Sequence, residues 1–599
     1  MEKGNLSIHS ENILPIIKRW LYSDMDIFVR EMTSNAVDAI TKLKKLVDMG
    51  EVNHISKDEE YKISVRIDKE NKAIIFEDNG IGMTSDEVKE YINQIAFSGA
   101  NAFIEKYKEK ADTDGGIIGH FGLGFYSSFM VSNRVQIDTL SYLEQTTAVK
   151  WECEGGIEYS MSDSTRTIRG TAITLYVNED GEEFLEEFKL KSVLLKYCGY
   201  VPVPIFVESS EEAINDISPL WLKPANECTD EEYKTFYSKA FTDFNEPLFW
   251  IHLNMDYPFR LKGILYFPRL KHDLEYIEGQ VKLYNNQVFI ADNIKEVIPE
   301  YLLLLKGVMD CPDLPLNVSR SFLQFDTNVR KMSGYISKKV ADKLNSLCKK
   351  DREIFNGYWD DIAPFIKYGC IKEKDFYEKV KSSVLYRTID GEHMTLTEFT
   401  DKTNDKTVFY VSNEQIQSQY IKLFKEQGLS AVILATNLDA PFISYLETYE
   451  TDIKFKRIDS DLTESLKQGD STENEEVQAI FRKHLNNEKL IVKIEALKSQ
   501  DVSAVILLSE QSRRMQEMSK MFGQGMPNMF EEELTLVLNG NHNIVKQFID
   551  MTNKPEKDEH VELITLHLFD LAMLSHKTLP TDQMTKFIER SNKLLGMLN

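Results

Sequence analysis

Glu31, Asn35 and Asp38 are the first residues in the chain whose types and spacing could do chemistry. A carboxylate can orient a water and take its proton, and an amide oxygen can ligate a hard cation. At about 100° per residue of helix the three fall within a sector roughly 60° wide. They edge an apolar stripe made by Met25, Phe28, Met32, Ala36, Ala39, Leu43 and Leu46, which predicts a helix over 24–46. A carboxylate at a core edge costs several kcal/mol unless it is paired or hydrogen-bonded. On pattern alone, an acidic polar flank explains the three more readily than a site.

Two glycine-marked segments follow. Residues 61–67 alternate as a half-buried strand, and 73–76 read as its hairpin partner across the polar turn 68–72. That second strand runs into Asp78-x-Gly80-x-Gly82-Met83, where two glycines at a strand end permit a tight turn and close approach of a ligand. Further on, Gly119-x-x-Gly122-x-Gly124-Phe125 opens an apolar run predicted to be helical through Val131. Glycines that feed a helix N-terminus present unpaired N–H groups and the positive end of the dipole, which suits phosphate. A flexible loop alone would give the same spacing. Further strands are predicted at 135–141, 146–153, 157–161 and 171–177, with helices at 11–22 and 182–197, an α+β sandwich.

Taken in this order, Glu31-x-x-x-Asn35, Asp78-x-Gly80-x-Gly82 and Gly119-x-x-Gly122-x-Gly124 resemble the three nucleotide-binding motifs of the GHKL (Bergerat) ATPase fold. That superfamily holds the ninety-kilodalton heat-shock chaperones, type II topoisomerase ATPase domains, mismatch-repair proteins and sensor histidine kinases. The words IFVREMTSNAVDAI, EDNGIGM, IGHFGLGFYSSFMV and RGTAITLYV resemble the heat-shock chaperone branch. WIHLNMDYPFRLKGILYFPR, VKLYNNQVFIADN and DLPLNVSRSFLQ resemble the middle domain of the same branch, so the likeness covers nearly the whole chain.

The resemblance implies an ATP-hydrolysing molecular chaperone of bacterial type that handles non-native clients under stress through an open and closed dimer cycle. It also implies roles. Asp78 would accept from the adenine amino group, with Gly82, Met83 and Thr171 completing the base pocket and Asp38 and Asn93 as further contacts. Asn35 would ligate Mg2+, and Gly119, Phe121, Gly122, Gly124 and Phe125 would wrap the phosphates. Glu31 would activate the attacking water. Arg320, with Gln324 near it, would neutralise the γ-phosphate as an arginine finger does. There is one departure. Where the family carries a lysine or arginine near the phosphates, this chain reads Ile95-Ala96-Phe97-Ser98-Gly99, and Phe97 brings no cation.

Length suggests several domains. The expected division is an N-terminal ATP-binding domain over 1–207, a short acidic linker at 208–216, an α/β middle domain over 217–490 and a helical dimerisation domain over 495–599. Met515, Met518, Met521 and Phe522, followed by Met526 and Met529, suit an adaptable client-contacting surface or ordinary core packing. Two stripes close the chain: Val561, Ile564, Leu568, Leu571 and Leu574, then Met584, Phe587, Ile588, Leu594 and Leu595. Two such helices can hardly bury both stripes on themselves, so a homodimer fits, and the resemblance implies client proteins and other chaperones as further partners.

Composition narrows the classes. A net charge of −25 and a pI near 5.0 argue against nonspecific nucleic-acid or anionic-membrane binding, and so against a DNA-acting GHKL relative. A nucleotide-binding scaffold with little turnover is the other alternative, disfavoured by Glu31 and Arg320. No phospho-acceptor helix precedes the ATP domain, which disfavours a histidine kinase. The six cysteines are scattered without a CxxC pair, and no secretion signal or spanning apolar run is evident, so a cytoplasmic protein with reduced thiols is expected.

Overall fold

The structure is a computed structural model that describes residues 24–94, 97, 99–107, 116–119, 122–156, 158–243, 245–269, 279–292, 297–314, 327–460, 466–467, 474–508, 534–552 and 558–597. The helix expected at 11–22 and the methionines at 515–529 lie outside them. The chain folds as two compact units that divide at Val340/Ala341.

The described part of the first unit begins with helix α1 (Ile27–Asp48), as its apolar stripe predicts. β1 (Ile63–Asp68) and β2 (Ala73–Asp78) pair antiparallel from Ile63↔Asp78 to Asp68↔Ala73. Asp68 closes their turn by accepting from the Asn71 amide at 3.0 Å. After α2 (Ser85–Tyr91) and α3 (Gly99–Tyr107) come β3 (Ser132–Leu140), β4 (Val149–Cys153), β5 (Tyr159–Asp163) and β6 (Gly170–Val177), then helix α4 (Glu187–Cys198). With β7 (Ile205–Val207) they form one seven-stranded sheet in the order β5-β4-β3-β6-β2-β1-β7. The apolar run after Gly124 is a 3-10 helix over Gly124–Met130 rather than an α-helix, in keeping with its two turns.

The sheet needs a cover, and α1 supplies it. Phe28, Val37, Ile40 and Leu43 join Ile63, Val65 and Ile74 of the sheet in one buried cluster. Phe28 meets Phe76 and Phe184 edge to face, with ring centroids 6.3 and 5.0 Å apart. Each such side chain, fully buried, contributes on the order of 1.5–3 kcal/mol. That packing fixes the rotation of α1 about its axis, and so fixes which way Glu31, Asn35 and Asp38 face.

The same unit holds α5 (Asp230–Phe241) and a second sheet of β8 (Phe249–Met255), β9 (Leu261–Phe267), β10 (Gln280–Asn285), β11 (Val288–Asp292) and β12 (Lys306–Asp310), ordered β11-β10-β12-β9-β8. Trp221 sits against Tyr200 at 4.7 Å and Tyr284 at 5.5 Å, so aromatic packing joins both sheets into one core.

Helix α6 (Thr327–Lys350) crosses the division between units and leads to α7 (Arg352–Lys372) and α8 (Lys374–Val380). A short hairpin, β13 (Leu385–Arg387) and β14 (His393–Thr395), precedes α9 (Leu396–Thr403). Within the expected α/β middle domain lies a parallel sheet of β15 (Thr407–Val411), β16 (Val432–Ile433) and β17 (Lys454–Arg457), connected by α10 (Ser418–Glu426) and α11 (Asp439–Tyr449). Helix α12 (Glu475–Leu485) follows.

The closing region corrects the expectation of an all-helical stretch. Before α13 (Asn543–Thr552), α14 (Asp558–Leu574) and α15 (Thr581–Gly596) the chain builds a three-stranded sheet, β18 (Ile491–Glu495), β20 (Leu534–Asn539) and β19 (Ala504–Leu508). The runs AVILL and LTLVLN are short and apolar, buried in the cluster that α14 covers. Runs of that length pack as strands more readily than as helices.

Candidate functional site

One cavity of about 340 Å3 in the first unit brings the three sequence motifs together. Glu31, Asn35 and Asp38 line it from α1, Asp78, Gly82 and Met83 from the end of β2, Gly119, Gly122, Gly124 and Phe125 from the glycine segment, and Thr171 from β6. Thr171 pairs across the sheet with Asp78, so β-sheet register places both on the cavity floor. Phe76, Ile81, Ile137 and Ile173 make the floor apolar, while Lys42, Glu87 and Lys106 also line the cavity.

Asp78 is almost fully buried. Its Oδ1 accepts from the Gly80 amide at 2.8 Å, and burial pushes its pKa up to about 7. The guanidinium of Arg166 and the amides of Gly80 and Thr171 oppose that rise. The turn that displays Asp78 is clamped from outside. Arg169 donates to the Asn79 carbonyl at 2.8 Å and to the Gly80 carbonyl at 3.1 Å, and Arg166 pairs with Glu77 at 3.0 Å. Thr139 ties the floor together: its hydroxyl accepts from the Met83 amide at 2.9 Å and lies 3.0 Å from the Thr171 hydroxyl. None of Thr139, Arg166 and Arg169 was singled out from sequence. The inward alternation of β3 is the one signal that pointed at Thr139, while the arginines lie in a turn with no periodicity to read.

At the other end of the cavity, Glu31 is buried beside Arg30, which donates to its Oε1 from Nη2 at 2.8 Å and from Nε at 3.0 Å. The pairing offsets the cost of a buried charge. Gly124 packs against the same carboxylate so closely that a Cβ there would overlap Glu31 Oε2. Gly82 is constrained in two ways, by φ +62° and by the Leu140 carbonyl, which occupies the place of a Cβ.

Asp38, expected as a nucleotide contact, lines the cavity and also holds backbone. Its Oδ1 accepts from the Ile118 amide and its Oδ2 from the Gly119 amide, both at 2.7 Å, so it anchors the glycine segment to α1. The Gly119 N–H is thereby engaged. Asn93 does not line the cavity: its Oδ1 accepts from Trp151 Nε1 at 2.9 Å, which turns it toward β4. Phe121, Arg320 and Gln324 lie outside the described residues.

The donor set fits a nucleotide and Mg2+. A buried carboxylate on the floor can accept from an amino group, and Gly119, Gly122 and Gly124 line the cavity where a Cβ would collide with Asp38, Phe97 or Glu31, so their backbone alone faces the ligand volume. Asn35 lines the cavity, and its amide oxygen is a hard ligand of the kind Mg2+ takes alongside substrate oxygens and water.

Comparison with known proteins agrees with this geometry. The family described as Hsp90 protein matches residues 206–598, and the family described as histidine kinase-, DNA gyrase B-, and HSP90-like ATPase matches residues 22–167. The chain belongs to the Hsp90 family. It is similar to the chaperone protein HtpG of Bacteroides thetaiotaomicron, 42% identical with 92% of this chain and 85% of that protein covered. The HtpG of Porphyromonas gingivalis is 39% identical over 92% of this chain and 84% of its own length, and that of Escherichia coli 29% identical over 98% of each. Family membership makes this an ATP-dependent molecular chaperone and an ATPase, with the nucleotide site in its GHKL-type domain. No helix among the described residues is long and apolar enough to cross a membrane.

Proposed function

We propose that the cavity lined by α1, the end of β2 and the glycine segment is where this Hsp90-family chaperone binds and hydrolyses ATP, with Asp78 reading the base and Glu31 activating water. What supports this is the convergence of Glu31, Asn35, Asp78, Thr171 and three glycines, distant in sequence, on one enclosed volume. Asp78 accepts from the adenine amino group, and Thr139 holds Thr171 and Met83 around the base. A buried carboxylate at this point discriminates against a base with a carbonyl there, because two acceptors would face each other undonated. Asn35 holds Mg2+, which when bound screens the phosphate charges. Gly122, Gly124 and Phe125 offer N–H groups at the start of a helix, where no intrahelical partner exists. Asp38 acts one step back, fixing the segment that carries Gly119. Glu31, held by Arg30, orients and deprotonates the attacking water. Arg320, assisted by Gln324, supplies the arginine finger on the strength of its sequence motif.

We also infer the division into an ATP domain (1–207), a linker (208–216), a middle domain (217–490) and a dimerisation domain (495–599). The partners inferred are a second copy through the C-terminal region, client proteins and other chaperones, in the cytoplasm. The experiment that tests the site is ATP binding by calorimetry, beside turnover, for two variants. Asp78→Asn is expected to lose binding, and Glu31→Ala to bind ATP yet hydrolyse it poorly. Wild-type affinity in Asp78→Asn would overturn the assignment.

A further inference from the structure

The base of the proposed site is held from behind. Arg30 precedes Glu31 on α1, and both side chains are buried. Arg30 gives two donors to one oxygen of the carboxylate, Nη2 at 2.8 Å and Nε at 3.0 Å, both on Oε1. The other oxygen, Oε2, is the one that lies against Gly124 in the cavity wall. Which oxygen faces the glycine segment is therefore set by where the guanidinium stands. A long arginine stem does not fix that by itself, because it has many rotamers.

The guanidinium carbon of Arg30 lies 5.7 Å from the centre of the Tyr197 ring, on the last turn of α4. An aromatic face attracts a cation, most strongly where water is kept out, and Tyr197 is buried. The ring is itself tied down. Its hydroxyl donates to Asp26 Oδ1 at 2.8 Å, while the Lys196 ammonium reaches Asp26 Oδ2 at 2.9 Å. Asp26 stands just before α1, where an aspartate ordinarily caps the helix, yet its carboxylate makes no cap hydrogen bond and turns to α4 instead.

From this chain of contacts we propose that Tyr197 is a positioning residue for the hydrolysis step: its ring holds the Arg30 guanidinium, which in turn holds Glu31 with Oε2 toward the glycine segment. The inference rests on the reading of Glu31 as the group that activates water. Neither Tyr197 nor Arg30 lines the cavity, so the ring acts on the reaction only through the carboxylate. The contacts at Asp78, Thr171 and the glycines do not pass through it. Loss of the ring therefore slows turnover and spares affinity, because a displaced base is felt at the transition state and not in the bound ground state.

The test measures steady-state kcat and calorimetric ATP affinity, with Mg2+ present, in the full-length chain and its Tyr197→Leu, Tyr197→Met and Tyr197→Phe variants. Tyr197→Leu should lower kcat roughly ten- to a hundredfold and leave ATP affinity within about twofold. Tyr197→Phe keeps the ring and should stay within about threefold of the wild-type kcat. Added to Glu31→Ala, Tyr197→Leu should change the residual rate by less than about twofold, since no carboxylate is left to position. Thermal melts identify a variant that is unfolded, and Tyr197→Met, which fills more of the ring's space, then decides in place of Tyr197→Leu. A kcat within threefold of wild type in the folded ring-less variant, ATP affinity lost in step with kcat, or a Tyr197→Phe rate as low as that of Tyr197→Leu overturns the inference. Wild-type turnover in Glu31→Ala would instead overturn the reading of Glu31 as the base.

Discussion

Two amphipathic helices, α1 near the start of the chain and α15 at its end, have stripes of similar quality and opposite fates. Fifteen of the 22 residues of α1 are buried, whereas none of the 16 in α15 is. The first is closed over by a seven-stranded sheet and the 3-10 helix, so even its polar edge, Glu31 and Asp38, is drawn into the interior. The second leans on its own unit with one side only. Met584 and Phe587 touch the cluster of Leu568, Ala572 and Met573, Phe587 stacks on His567 at 5.0 Å, and Arg590 pairs with Asp570 at 2.7 Å. Ile588 and Leu595, seven residues apart and therefore on one face, stay 52% and 63% exposed. A helix whose amphipathic pattern is satisfied within the chain makes an active site out of its polar edge. One whose pattern is left half open offers a surface, which we read as the face a second copy covers.

The largest effect belongs to the polar edge of α1. Glu31→Ala should reduce steady-state ATP hydrolysis by about 10²–10⁴-fold with ATP affinity kept. A residual rate within threefold of wild type would remove Glu31 from the chemistry. Next comes the buried side of the same helix. Phe28→Ala deletes a ring packed on Phe76 and Phe184 and should cost about 3–5 kcal/mol of unfolding free energy in denaturant titration. A loss below 1 kcal/mol would mean the cover over the sheet is looser than the packing shows.

Asp78 sharpens the contrast through pH. Its carboxyl holds a proton in the folded state up to about pH 7, whereas in the unfolded chain it loses it near 3.8. The stability this confers is complete below pH 3.8, falls as pH rises through that window, and is gone above 7. Asp78→Asn has no such dependence, so its unfolding free energy should gain on wild type between pH 4 and 8, by up to about 4 kcal/mol, even as ATP binding is lost. A constant difference across that range would show that Asp78 is not desolvated.

The smallest effect on folding is expected at α15. Ile588→Ala with Leu595→Ala should leave the unfolding free energy of the monomer within about 0.5 kcal/mol per site, as surface changes do. The same pair should raise the dimer dissociation constant at least tenfold in analytical ultracentrifugation. Unchanged association would move the dimer contact away from α15 and end the comparison.

Much of this was legible in advance because it rests on local rules. The α1 stripe, the β1–β2 hairpin and the glycine spacings follow from periodicity and turn chemistry. Family resemblance then supplied what the spacings meant. The sheet of β18, β19 and β20 was missed because short apolar runs carry little periodicity, and the amphipathic helices after them dominate the pattern. Asn93 was placed by alignment with a family motif, and nothing local could reveal that its side chain turns to Trp151.

The sequence by itself determined the residue types that could bind a nucleotide, their grouping on one helix face and two glycine turns, and the stripes that close the chain. These depend on neighbours a few positions away, and the chain carries them wherever it goes. Tertiary structure alone decided the rest. Pairing across the sheet brought Thr171 beside Asp78, and Arg169 reached 90 residues back to hold the turn at Asn79. It also gave Asp38 the Ile118 and Gly119 amides to anchor, 80 and 81 residues away. Such contacts close long loops, and no local propensity encodes them; packing of the whole core selects them.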